Sequence, residues 1–561
     1  MVMSRNATAH FGAVPRADIQ RSRFKRDSTH LTTMNAGSLI PIYLDEVLPG
    51  DTCTMDLRAL VRMSTPIFPV MDNAFMDVYF FFVPNRLAWE HWKEFNGENN
   101  STYWSQPTEY VVPTVTAPVS GDGGWNKGSI ADYFGLPTNQ NGIYVNAIPF
   151  RDYVLIWNEF FRDQNYMTPA HFLKNDAHQS GKPYVPGDRW DGITSAVHGG
   201  TPLPVSKVHD YFTSVLPAPQ KGPSMEIPVF AEDKIPVGSF SQTHDASCSS
   251  LHFYSPNNLN GSIFVAASNT GYATGYPATG SSVVPSLSVD NLYADLNSVT
   301  IGTISQLRQA FQIQRLLERD ARGGTRYTEI LNAHFGVTSP DARLQRPEYL
   351  GGKRIPINID QVIQTSATND VSPQGNTAAF SMTFNRSSSF TKSFTEHGFI
   401  IGLACIRTDH TYQQGINKMW SRRNRFDYYW PALANISEQP VLRKEIFATT
   451  QKDENDSVFG YQEAWAEYRY KPSQVSGAFR SSYDGSLDSW HYADWFEANA
   501  DAGMDFFVAD RDFMAETPVN IDRTLAVSSD VEDQFLCDFY FDATWVRPMP
   551  LYSVPGLADH F

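Results

Sequence analysis

The segment Thr52-Cys-Thr-Met-Asp-Leu-Arg-Ala-Leu-Val-Arg-Met63 decides how this chain folds. Cys53, Met55, Leu57, Ala59, Val61 and Met63 fall on one side of an extended backbone, and Thr52, Thr54, Asp56, Arg58 and Arg62 on the other. A sustained period of two marks a strand with one dry face and one wet face, because successive side chains of a strand point to opposite sides. The far end of the chain repeats the pattern. Phe535, Cys537, Phe539, Phe541, Ala543 and Trp545 alternate with Asp538, Tyr540, Asp542 and Thr544. Long strands at opposite ends of a chain must pair with each other, so the sheet closes late. That suits a mainly β jelly roll with large insertions better than a string of domains.

Working outward, Phe75–Val83 is apolar on both faces, as expected of a strand covered on both sides. Pro84 stops it, and Arg86 to Phe95 reads as a short helix closed by Gly97. A further helix is expected over Arg151–Asp163, with Tyr153, Ile156, Trp157, Phe160 and Phe161 on one face. Strand signals continue at Arg354–Gln364, Ala378–Phe384, Gly398–Arg407, Glu445–Thr450, Tyr461–Tyr470 and Gln534–Arg547. Between Ile235 and Val289 the only charged residue is Asp245, and Ser, Gly, Asn, Thr and Pro dominate. Such a segment cannot build a conventional core; it reads as a loop-rich, β-rich surface insertion. Next comes Thr303–Gly352. Thr303 and Gln306 suggest a capping box, Ile304, Leu307, Phe311, Ile313, Leu316 and Leu317 form an apolar stripe, and Gly323–Gly324 ends the helix. A second helix is expected from about Arg326 to Phe335, ended by Gly336. The resulting division is a basic N-terminal arm (1–50), a first part of the jelly roll with helices and loops (51–220), a low-charge insertion (221–300), a helical insertion (301–352) and a second part of the jelly roll (353–561).

Composition bounds the function. Of 561 residues 19% are charged and 13% aromatic, with 36 Gly and 35 Pro, which fits a β-rich, loop-rich protein with much buried or interface surface. A formal charge of −16 argues against a free nucleic-acid-binding protein whose whole surface attracts phosphate. Cys53, Cys248, Cys405 and Cys537 are widely spaced and form no metal or redox motif, so buried free thiols are the expectation. The N-terminus has no apolar signal-peptide core, and the longest apolar runs are too short to span a bilayer. These features read as a soluble chain made inside a cell.

Three groups of residues invite a functional reading. Arg5, Arg16, Arg21, Arg23, Lys25 and Arg26 cluster before the first strong periodicity, suiting either contact with phosphate or an interface-threading terminus. His171, His178, His198 and His209, with Asp176 and Asp210, match no metal spacing and read as ordinary loop residues. In Met419-Trp-Ser-Arg-Arg-Asn-Arg-Phe-Asp-Tyr-Tyr-Trp-Pro431, Trp420, Arg422, Arg423, Arg425 and Tyr428 are the leading candidates, joined by Phe426, Tyr429 and Trp430. Arginines interleaved with aromatics can stack unpaired bases or anchor a protein interface; the interface reading is preferred. No P-loop, nucleophile elbow, zinc-protease helix or calcium loop occurs, so neither an enzyme nor a cofactor is expected. The rival is a β-rich carbohydrate-active or carbohydrate-binding protein, since the carboxylates leave room for a glycosidase-like pair.

The run Leu307-Arg-Gln-Ala-Phe-Gln-Ile-Gln-Arg-Leu-Leu-Glu-Arg-Asp-Ala-Arg-Gly-Gly-Thr-Arg-Tyr327 and the stretch His334 to Gly352 resemble the major capsid protein of the microviruses, small tailless single-stranded DNA phages, in their gokushovirus branch. Asn73–Leu87, Ile156–Asp163, Asp210–Gly222, Trp420–Pro431 and Phe541–Pro548 resemble the same family, so the likeness runs nearly end to end. The resemblance implies an eight-stranded viral jelly roll and a sixty-copy T=1 icosahedral shell around circular single-stranded DNA. It implies a virion protein made in the bacterial host cytoplasm. It also implies a small basic DNA-binding protein, an internal scaffolding protein and a DNA pilot protein as partners. The low-charge insertion falls where the family carries a three-fold protrusion thought to meet a host surface receptor.

Overall fold

The computed structural model describes residues 19–98, 108–119, 123–185, 192–222, the short strands within 237–294, and 304–324, 326–337, 345–366, 373–450, 452–496 and 509–552. Two compact units divide the chain: Gln220–Arg322, and everything before and after it.

In the larger unit two antiparallel sheets pack face to face. The strands are β1 (Ser22–Lys25), β2 (Ser28–Met34), β3 (Ile40–Val47), β4 (Thr52–Met63), β5 (Ala74–Pro84), β6 (Glu348–Pro356), β7 (Thr383–Ser393), β8 (Gly398–Thr408) and β9 (Phe535–Arg547). One sheet runs β9–β4–β7, with β1 and β2 lying end to end along the free side of β9; the other runs β6–β5–β8–β3. Consecutive strands alternate between sheets across most of the chain, which is jelly-roll connectivity. The strand read from Thr52–Met63 pairs with the closing strand along its length, Phe535 opposite Met63 and Val546 opposite Thr52.

Alternation decides the core. Cys53, Met55, Leu57, Ala59 and Val61 from β4 and Phe535, Cys537, Phe539, Phe541, Ala543 and Trp545 from β9 are buried against Met76, Val78, Phe80 and Phe82 of β5. Gly402 faces the same interior, where a Cβ would lie 2.9 Å from the Phe80 ring and 2.8 Å from the Cβ of Tyr43. Cys53, Cys405 and Cys537 are buried free thiols, each pushed up to about 12 by burial. Cys248 lies outside the described residues.

The other face of β5 and β8 is equally dry. Phe81, Val83, Ile401, Leu403 and Cys405 pack beneath α1 (Ile148–Ile156), which contributes Phe150, Tyr153 and Val154. The expected helix over Arg151–Asp163 therefore starts earlier and continues as one π-helical turn, Trp157–Phe161. It is buried nearly all round rather than on one face. Two of its polar groups find partners inside, the Tyr153 hydroxyl donating to the Leu39 carbonyl at 2.8 Å and the Trp157 indole to the Pro204 carbonyl at 2.6 Å. Neither carboxylate oxygen of the buried Asp152 has a hydrogen-bond partner among the described residues.

Other expectations shift. Arg86–Phe95 splits into two single turns, Asn85–Ala88 and Trp92–Phe95. Glu445–Thr450 is not a strand: the Glu445 carboxylate accepts from the Leu442 amide at 2.9 Å and closes a 3-10 turn. Tyr461–Tyr470 is a strand only to Glu463, because Trp465 takes φ 65° and starts another 3-10 turn. In the N-terminal segment, residues from Ser22 onward are strands, so the described part is built into the sandwich rather than hanging free.

The smaller unit nests three antiparallel pairs: Val237–Ser239 with Leu292–Ala294, Phe253–Tyr254 with Ser288–Val289, and Phe264–Ala267 with Ala273–Tyr276. It ends in α2 (Ile304–Arg322); Thr303 lies outside the described residues. In the larger unit α3 (Tyr327–Phe335) follows and stops at Gly336, whose φ of +67° suits a residue without a Cβ.

Candidate assembly and nucleic-acid surfaces

Arg5 and Arg16 lie outside the described residues. Arg21, Arg23, Lys25 and Arg26 are exposed at the sheet edge, while Phe24 between them packs on the sandwich core. Two of the four charges are used within the chain. Lys25 pairs with Asp27 at 2.8 Å, and Arg26 with Asp45 at 2.6 Å. Among the described residues no ion pair engages Arg21 or Arg23, which leaves these two with charge to offer an anion.

The arginine–aromatic segment forms a shelf of three 3-10 turns, Lys418–Ser421, Arg425–Asp427 and Pro431–Leu433. It is braced from below by Trp465, whose indole donates to the Leu433 carbonyl at 2.8 Å. Arg422 is turned inward: it bonds Glu467 at 2.8 Å, lies 4.3 Å from the Tyr468 ring, and is nearly buried. Arg425 stacks 4.8 Å from Trp430, and Arg423 and Arg425 are exposed. Trp420 is 76% exposed and Phe426 73%, with Met419, Tyr428, Tyr429 and Trp430 beside them. So much exposed aromatic surface in one place exceeds the isolated apolar residues usual on a protein surface. Further exposed apolar residues are Phe311 and Leu316 on α2 of the smaller unit and, separately, Tyr327 and Phe335 on α3 of the larger unit.

The histidines of 165–215 do not converge. His178 sits between the hydroxyls of Thr114 and Thr116, Asp176 receives the Trp89 indole and faces His91, and Asp210 accepts from the Tyr412 hydroxyl. Among the described residues no group of three or more His, Cys, Asp or Glu could hold a metal ion. No helix there is long and apolar enough to cross a membrane.

Two buried charge clusters escaped the sequence reading. Asp77 on β5 is clasped by Arg354 of β6, at 2.8 Å, and by Arg407 of β8. Burial alone would raise its pKa, but the two guanidiniums hold it below the usual carboxylate value. Deeper in, His410 lies between Asp494 (2.9 Å) and Glu516 (3.0 Å), with Lys207 3.6 Å from Asp494. Burial opposes the imidazolium, yet the two carboxylates raise its pKa to about 9. Asp494 is held well below its ordinary value, Lys207 and His410 outweighing its burial. These residues lie far apart in sequence, so no local spacing announces them.

The described surfaces therefore offer apolar contact and scattered cations. Residues 12–557 match the family model described as capsid protein (F protein). The chain is 40% identical to "Capsid protein VP1" of Bdellovibrio phage phiMH2K, covering 100% of this chain and 99% of the relative. It is also 40% identical to "Capsid protein VP1" of Chlamydia phage 1, over 98% and 97%. The same identity holds to that of Spiroplasma virus 4, over 98% of each. The chain belongs to the phage capsid F-protein family, among gokushovirus-type microviruses, and is a structural protein of the virion shell rather than an enzyme.

Proposed function

We propose that sixty copies of this chain close a T=1 icosahedral shell around a circular single-stranded DNA genome. The carrying observation is full-length kinship to capsid proteins in a jelly-roll chain that leaves a broad aromatic shelf uncovered. The shelf around Trp420 and Phe426 serves contact between copies, with Arg425 and Tyr428 completing it and Arg422 holding it in shape. Arg21 and Arg23, and ahead of them Arg5 and Arg16, make sequence-independent contact with DNA phosphates; Lys25 and Arg26 add less because Asp27 and Asp45 already compensate them.

At −16 the chain cannot neutralise its genome alone, which favours a small basic DNA-binding protein as partner. An internal scaffolding protein and a DNA pilot protein complete the proposed set, with assembly in the bacterial host cytoplasm. The Gln220–Arg322 unit is the proposed attachment element for a host surface receptor; its separate compactness supports exchange without dismantling the sandwich.

Electron microscopy of nuclease-treated particles tests the shell: uniform icosahedra with protected single-stranded DNA are expected. Dispersed chains without DNA would overturn it. Replacing residues 225–298 by a short linker should leave particles intact and abolish adsorption to host cells.

A further inference from the structure

Lys207, Asp494 and Asn520 come from three distant segments and meet in the interior. The Lys207 nitrogen lies 3.6 Å from Asp494 Oδ1, and the Asn520 amide donates to that same oxygen at 2.7 Å. Lys207, Asp494 and Asn520 are only 6%, 5% and 7% exposed. The Phe513 ring lies 4.8 Å from the lysine nitrogen and helps keep water away. The other oxygen of Asp494 faces His410 Nδ1 at 2.9 Å, and His410 Nε2 faces Glu516 at 3.0 Å. Ionised carboxylates only accept, so an imidazole between two of them is the imidazolium. Two cations and two anions then balance inside the cluster.

An ion pair alone is a costly way to fill such a place, since two desolvated charges recover little more than their desolvation penalty. The same atoms are disposed for chemistry. One carboxylate oxygen touches both an amine that could attack and an amide nitrogen that could leave. Moving a proton from the lysine to the aspartate works against the pull of His410 that keeps Asp494 ionised, and this is offset because the neutral pair no longer carries two desolvated charges. The resulting amine is a nucleophile, and the Asp494 oxygen it shares with the Asn520 amide places both groups around one atom.

We propose that Lys207 and Asn520 become joined by an amide bond, with Asp494 as proton carrier. Asp494 takes one proton from the Lys207 ammonium. The freed Nζ attacks Cγ of Asn520, and the Nζ–Cγ bond forms. A second proton passes from Nζ through Asp494 to Nδ2 of Asn520, the Cγ–Nδ2 bond breaks, and ammonia departs. The first proton stays on Asp494, so lysine and aspartate lose their charges together and the cluster remains neutral. Nothing is oxidised or reduced, and no other reactant is needed. The bond clasps the segment preceding the Gln220–Arg322 unit to the one preceding β9.

Mass spectrometry of the intact, denatured wild-type chain tests this. The expected mass is one ammonia below the encoded value, and a tryptic digest should yield one branched peptide joining Lys207, uncleaved, to Asn520. Lys207→Arg keeps the cation and removes the nucleophile, so it should restore the encoded mass. An encoded mass with separate linear peptides in the wild type would overturn the proposal, without reference to any variant. So would an ammonia loss that persists in Lys207→Arg, which would place it elsewhere, for instance at Asn96-Gly97 or Asn141-Gly142.

Discussion

The two sheets of the sandwich are made by one chain, yet they live in different surroundings. The central strands β5 and β8 of the β6–β5–β8–β3 sheet are dry on both sides, although the edge strand β6 is largely exposed: Phe80 and Phe82 enter the sandwich, while Phe81 and Val83 enter the packing around α1. The sheet centred on β9 and β4 is dry on one side only; its other face carries Thr54, Arg58, Tyr540 and Asp542, with Leu31 and Leu536 exposed. The difference teaches where this protein keeps its stability and where it keeps surface for others. A strand covered twice has no side chain left to offer a partner.

The most damaging way to break that asymmetry is Phe81→Ala. Phe81 is 1% exposed, and emptying its place should cost about 3–5 kcal/mol of unfolding free energy by chemical denaturation. Asp77→Asn comes next, since it leaves Arg354 and Arg407 facing a neutral group; a loss of roughly 3 kcal/mol is expected. The same residue sets a pH dependence. Its folded pKa lies below the unfolded one, so its stabilisation is present above about pH 4 and lost as pH falls further. Acid titration of the wild type and Asp77→Asn should converge at low pH; parallel curves would refute the assignment.

Trp420→Ala sharpens the contrast from the other side. The isolated chain should lose no more than about 0.5 kcal/mol, as is usual for exposed positions. Assembly should weaken by roughly 2 kcal/mol or more, read as a shift in the concentration at which particles form. Particle formation at the wild-type concentration would show that the shelf faces solvent in the shell. The smallest effect is expected for Leu31→Ser on the open sheet face, where 75% exposure leaves about 0.5 kcal/mol or less at stake.

Residue order alone announced both sheets' chemistry. Thr52–Met63 and Phe535–Trp545 alternate because one of their faces meets water, and Phe75–Val83 does not alternate because neither does. The helix pair α2 and α3 was readable from its stripe and its glycines. What failed in the reading failed for tertiary reasons. Glu445 turns the chain because its own carboxylate finds the Leu442 amide, and Trp465 adopts a left-handed conformation while its indole reaches Leu433. In the same way, the partners of Arg422 within the chain, Glu467 and Tyr468, lie in another loop, where its neighbours in sequence do not announce them.

By itself, then, the sequence determined the long strands over Thr52–Met63, Phe75–Val83, Gly398–Arg407 and Gln534–Arg547, the wet and dry faces of the first, second and last, and the family. Periodicity and composition are local properties that burial imposes on neighbouring positions. Only the tertiary structure decided which charges are spent and which remain. It brought Asp77 between two arginines and gathered Lys207, His410, Asp494, Glu516 and Asn520 into one dry cluster, because electrostatic partners are chosen by distance in space, and folding sets that distance independently of separation along the chain.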